Sequence, residues 1–188
     1  IFGIKTGYLP HYLPAPAFPV SVENKRLFEQ TNEYQIVSSL WEKLDMAILG
    51  IGLYPSVPDQ ATAARFGDRL REERAVGMVA TYYYDLNGRL IDSENDIVIR
   101  IPYELLKKTP VSLAIGSGME KVNTIIGALN TGLVTHLITD EETAFKTKVS
   151  RCPEGVLGGL LRLPESAADL VVLIAHLESH HTPNVVSP

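Results

Sequence analysis

Apolar positions along this chain recur in two alternating rhythms. "DMAILGIG" (45–52) is a short, nearly continuous apolar run closed by glycines, which predicts a buried strand. "VSLAI" (111–115) and "LVTHLITD" (133–140) predict two more. Between the last two, Val122, Ile125, Ile126 and Leu129 fall at i, i+3, i+4 and i+7, the stripe of an amphipathic helix. Ser21–Leu44 predicts a helix broken near Thr31–Asn32. Ile36, Val37, Leu40, Trp41 and Leu44 form one apolar face of its second half. Residues 60–74 predict a polar helix, and "YELLKK" and "EETAFKTK" two short ones.

A different pattern fills residues 76–102. "VATYYYD" and "RLIDS" flank "DLNGR", and Asn87-Gly88 is a strong two-residue hairpin signal. Tyr82, Tyr83 and Tyr84 alternate faces, so one side is expected in the core and the other in solvent. "IVIRIP" (97–102) is strand-like. Short strands followed by amphipathic helices predict an α/β fold. Its mostly parallel sheet has helices on both faces, and the hairpin is an antiparallel insertion.

The ends differ from the middle. "YLPAPAFPV" (12–20) is extended, because proline disfavours helix in the residue before it. The opening "IFGIKTGYLPHYLPAP" lacks an initiator Met and reads as the interior of a longer chain. From Ser150 the chain becomes glycine-rich and apolar, and "SAADLVVLIAHLESHH" predicts a helix. Two regions result: a domain over 1–149 and a helical extension over 150–188.

Composition narrows the classes. Apolar residues make up 45% of the 188 and charged residues 21%, which is globular rather than disordered. The formal charge is −5 and the basic residues are scattered, so no nucleic-acid footprint is legible. A single cysteine, Cys152, excludes an internal disulfide framework and a cysteine zinc site. No apolar stretch reaches the length of a membrane helix.

Chemistry concentrates at "IGSGMEK" (115–121). The turn lies at the carboxyl end of a predicted strand, where ligands bind in open parallel sheets. A helix amino terminus offers free N–H groups and partial positive charge; glycine permits close approach, and Lys121 adds a formal charge. Phosphate is the natural occupant, although such turns also serve plain connectivity. The spacing matches neither a Walker loop nor a dinucleotide fingerprint. Asp140 precedes a helix and reads as an N-cap that could also contact ligand. His176, His180 and His181 fall at i, i+4 and i+5, a metal-compatible spacing, but no acidic or cysteine partner stands at matching spacing, and Cys152 has no adjacent base. The reading is no metal, no cofactor and no catalytic residue.

Several stretches together resemble the effector-binding domain of SorC-family bacterial transcriptional regulators. They are "YLPAPAF", "DMAILGIG", "RAVGMVATYYYDLNGRLID", "ENDIVIRIP" and "TPVSLAIGSGMEKVNTIIGALNTGLVTHLITDEETA", in family order. The resemblance implies a NagB/RpiA-like fold and a phosphorylated sugar or similar small-molecule effector. It also implies a homo-oligomer in the bacterial cytoplasm, and DNA binding only through a helix-turn-helix that precedes this domain and is absent here. The family's Gly-Gly-x-x-Lys element matches Gly116, Ser117, Gly118 and Lys121. Its Val-Gly-acidic element matches Val76-Gly77-Met78, where a thioether replaces the carboxylate. Its Asn-Asp-Arg element reads Asn95-Asp96-Ile97, without the arginine. The candidate ligand-binding set is Gly50, Gly52, Gly77, Met78, Gly116, Ser117, Gly118 and Lys121. Two alternatives remain: a ligand-free dimerisation module of the same fold, and a sugar-phosphate isomerase-like enzyme.

Overall fold

Residues 9–20 form an extended segment that leads into two capped helices. The structure, a computed structural model, describes Gly7 and residues 9–55, 60–149, 159–162 and 170–174. The Ser21 hydroxyl accepts from the Asn24 N–H at 3.1 Å and starts α1, Val22–Glu29. The Thr31 hydroxyl accepts from the Tyr34 N–H at 3.3 Å and starts α2, Asn32–Trp41. The break expected near Thr31–Asn32 is thus a second N-cap.

The sheet is organised around one long strand, β1 (Met46–Leu53). Residues 46–50 pair in parallel with β5 (Val111–Ile115), and residues 51–53 pair antiparallel with β2 (Gly77–Val79). From β2 the antiparallel unit continues through β3 (Tyr82–Tyr84) to β4 (Leu90–Ile91). On the other side β5 pairs in parallel with β6 (His136–Asp140). Two further strands, β7 (Gly159–Arg162) and β8 (Leu170–Ile174), complete the order β4-β3-β2-β1-β5-β6-β8-β7. The α/β class holds, with the antiparallel unit grafted onto one edge. Parallel pairing is confined to the central strands β1, β5 and β6, so the sheet is mixed rather than mostly parallel.

Helices cover the two faces unequally. On one face α5 (Tyr103–Lys108), α6 (Val122–Asn130) and α7 (Glu141–Val149) supply Leu106, Ile125, Ala128, Leu129 and Ala144. These pack on Ala47, Ile51, Val79, Tyr84, Ala114 and Leu137 of the sheet. The other face is covered at the hairpin end by α3 (Gln60–Phe66) and α4 (Arg69–Glu72), whose Phe66 and Leu70 pack on Tyr83 and Ile91. On that same face Met46, Ile48 and Ile115 stay exposed.

Three local expectations are corrected. Tyr82, Tyr83 and Tyr84 are all buried, because α3 and α4 close the face on which Tyr83 stands. Residues 97–102 form no strand; Ile99 N–H instead donates to Ala17 O at 3.0 Å, tying down the extended opening. Leu170–Ile174, expected to be helical, pairs antiparallel with β6 as β8. The run Leu-Val-Val-Leu-Ile suits a strand, since β-branched side chains are stiff and pack well on a pleated surface. The rest of that predicted helix, with Cys152 and the three tail histidines, lies outside the described residues.

Candidate functional site

The glycine–lysine turn follows β5 directly. Gly116 N–H donates to Ile138 O at 3.1 Å, which keeps the chain in the sheet for one more residue. Gly118 then takes φ 110°, a conformation reserved for glycine, and a single 3₁₀ turn, Met119–Lys121, leads into α6. A second element fixes this loop. Asp140, at the end of β6, accepts from the Gly118 N–H at 3.0 Å, from the Thr143 N–H at 2.8 Å and from the Thr143 hydroxyl at 2.6 Å. Asp140 is therefore both the N-cap of α7 and a clamp on the glycine turn. Partial burial pushes its pKa up, but the hydrogen bonds from Thr143 and Gly118 outweigh burial and hold it below the usual value.

With Gly118 N–H committed, three other donors of the turn remain. The Ser117, Met119 and Glu120 N–H groups have no acceptor among the described residues. Lys121 reaches back across the turn, and its ammonium makes one long hydrogen bond, 3.3 Å, to Ile51 O on β1. No carboxylate lies within ion-pair distance of it among the described residues. Two of its three donors have no acceptor among the described residues. On the Asp140 side the surface becomes acidic: a hollow of about 550 Å³ is lined by Asp140, Glu141, Glu142 and Phe145.

The other expected positions fall into three situations. Gly52 and Met78 stand opposite each other in the β1–β2 register. A methyl on Gly52 would lie 3.0 Å from Met78 Cγ, so the thioether already covers this glycine. Gly52 adjoins Ile51, whose carbonyl holds Lys121, so Met78 borders the lysine's strand. Gly50 is open, with nothing near an added methyl. Gly77 faces the opposite way, into the core: a methyl there would meet Thr124 Cγ2 at 2.1 Å and Gly52 O at 2.7 Å. Packing against α6, not a ligand, accounts for its missing side chain. Thr124 completes that join by donating to Val76 O at 2.7 Å while accepting at its own carbonyl from the Tyr84 hydroxyl at 3.1 Å.

One constellation was not singled out in the sequence. Asp96, buried to 7% exposure, is gripped by Arg65 through Nε at 2.8 Å and Nη2, and by Arg100 Nη2 at 2.9 Å. The arginine missing at Ile97 is thus not needed to neutralise this carboxylate; α3 and the segment after Asp96 each supply one. Only the pairing of Asp96 with two arginines 31 and 4 residues away would have revealed it, and spacing alone carries no such signal.

Comparison with known proteins identifies the family and the fold. Residues 2–146 match the Sugar-bind family model, which describes a sugar-binding domain. The chain is 31% identical over 136 residues to the sorbitol operon regulator of Klebsiella pneumoniae, covering 68% of this chain and 43% of that protein. It is 28% identical over 143 residues to the deoxyribonucleoside regulator of Bacillus subtilis, covering 72% and 45%. The crystal structure of the full-length Klebsiella regulator superimposes with TM-score 0.63 at 28% identity, over 70% of this chain and 44% of that one. The chain thus spans less than half the length of these relatives. On the extent of the family match and the shared fold, the chain belongs to the sugar-binding domain family of SorC-type transcriptional regulators.

Proposed function

We propose that this chain is the effector-sensing part of a sugar-responsive bacterial transcriptional regulator. Its effector is a phosphorylated sugar or a related metabolite with an anionic head. The anionic head sits on Lys121 and the N–H groups of Ser117, Met119 and Glu120, and the sugar hydroxyls turn toward the acidic side at Asp140. Effector binding sets the oligomeric and DNA-binding state of a longer cytoplasmic protein, whose DNA contacts come from a helix-turn-helix elsewhere. No chemistry is performed on the ligand. The observation that carries this reading is the Lys121 ammonium, held by a single long hydrogen bond and lacking a carboxylate partner among the described residues. Relatives named as an operon regulator and a deoxyribonucleoside regulator support it.

The test is a thermal-shift and calorimetric screen of phosphorylated sugars against their unphosphorylated counterparts. A ligand at about 100 times its Kd stabilises by roughly 2.7 kcal/mol, easily seen in the unfolding midpoint. Lys121→Ala is expected to weaken a phosphorylated ligand at least tenfold and an unphosphorylated one much less. Equal affinity in wild type and Lys121→Ala would remove the lysine from the site. The second reading is a ligand-free dimerisation module. It is favoured by Met78, which covers Gly52 with an apolar side chain. Absence of stabilisation by any sugar or sugar phosphate selects it.

A further inference from the structure

We infer a second small-anion site, separate from the glycine–lysine turn, in the cleft between the α1–α2 helix pair and the segment 96–102. The cleft measures about 260 Å³, and Lys25, Tyr34, Tyr82, Asp96 and Arg100 supply its polar and aromatic lining. That volume is small for a drug-like ligand but sufficient for a phosphate or a short organic carboxylate.

The charge pattern selects an anion. Two carboxylates reach the cleft, Asp96 and Glu29, and both are already answered. Asp96 is shared between Arg65 and Arg100, and Glu29 pairs with Lys25 at 3.7 Å. Lys25 and Arg100 balance these two carboxylates within the lining, and Arg65, behind Asp96 and outside the lining, adds a third cation to the cluster. Two guanidiniums share the single Asp96 carboxylate, so one of their positive charges has no carboxylate of its own among the described residues.

The donors point the same way. Arg100 Nη1 donates to Thr81 O at 2.7 Å and to Thr81 Oγ1 at 3.1 Å, and Nη2 donates to Asp96. Its Nε–H and the second Nη2 hydrogen have no acceptor among the described residues. The guanidinium carbon lies over the Tyr82 ring, 3.7 Å from its centroid, and this contact together with the bonds to Thr81 and Asp96 holds the group in place before anything binds. Thr81 is itself held at φ 65°, unusual for a β-branched residue, in the Ala80–Thr81 turn that Arg100 braces. The Tyr34 hydroxyl has no acceptor among the described residues. Burial and the neighbouring Glu29 raise its pKa, which keeps it a donor. A fixed guanidinium edge, a phenol and an ammonium on opposite walls of one cleft match the oxygens of a carboxylate or phosphate.

Inorganic phosphate titrated into the full chain is the probe, with chloride at equal ionic strength as the control. Lys121→Ala serves as the working background, so the glycine–lysine turn contributes nothing. A saturable thermal shift with phosphate is expected there, weakened at least fivefold by Lys25→Gln and by Tyr34→Phe. Both residues lie on helices with no buried residue, so the variants should fold. Arg100→Lys, which keeps charge but loses the fork, should weaken it as well. A response equal in chloride and phosphate overturns the site, as does one that disappears with Lys121→Ala alone or is indifferent to Lys25→Gln and Tyr34→Phe. Failure here leaves the sugar-effector reading untouched, because that reading depends on Lys121.

Discussion

Gly77 has the least room of the candidate-site glycines. A single methyl would collide with a threonine side chain pinned by its own hydrogen bond and with the Gly52 backbone, which cannot move aside. Gly77→Ala is therefore expected to destabilise by about 1–3 kcal/mol through overpacking. Urea unfolding measures it, and a change under about 0.5 kcal/mol would show that β2 shifts freely away from α6. Gly50→Ala, with open space around it, is the matched control and should be near neutral. The same comparison separates two meanings of glycine that the sequence shows identically. Gly118 is needed for its positive φ, Gly77 for the distance between a strand and a helix, and neither reason is written in the residue type. The place of Lys121 in the turn was legible because its spacing from Gly116 and Gly118 is local. Asp140's hold on Gly118 spans 22 residues and became visible only in three dimensions.

At the level of elements, Asp140 links three pieces with one carboxylate: β6, which carries it, α7, which it caps, and the glycine turn. Asp140→Ala should cost about 0.5–2 kcal/mol, the usual range for a lost N-cap, and should also loosen the turn that presents Lys121. The pH dependence follows in sign from the depressed pKa. The contribution is fully present above the unfolded value of 3.8 and is lost as pH falls through the lower folded value. Acid titration of the unfolding midpoint should therefore fall more steeply for wild type than for Asp140→Asn below about pH 4. Parallel curves would mean that the carboxylate's charge contributes nothing. Elements with local signals were the readable ones: the hairpin at Asn87-Gly88, the helix from Ser21 with its break near Thr31–Asn32, and the stripe of α6. The tail was misread because a short apolar run of five residues fits a helix or a strand equally well. The pairing partner on β6 decides between them.

Over the whole molecule, the two faces of the sheet differ in a way that composition could not disclose. One face carries a continuous core under α5, α6 and α7. The other is closed by α3 and α4 only at the hairpin end, and Met46, Ile48 and Ile115 are exposed at 51%, 60% and 49%. The apolar runs of β1 and β5 predicted burial on both sides, as strands at the centre of a parallel sheet normally have. The structure grants it on one side alone among the described residues. Relatives in which this chain spans less than half the length carry additional polypeptide, so a strand pattern suited to double burial is no contradiction. The consequence can be measured. Ile48→Asp and Ile115→Asp should each change the urea unfolding free energy by less than about 0.5 kcal/mol, as exposed substitutions do. Ile125→Ala, on the fully buried stripe of α6, should cost about 2–5 kcal/mol. A loss of 2 kcal/mol or more from either aspartate variant would mean that this face is covered in solution. Burying an unpaired carboxylate against an apolar layer has a penalty of that size, and mere exposure has none.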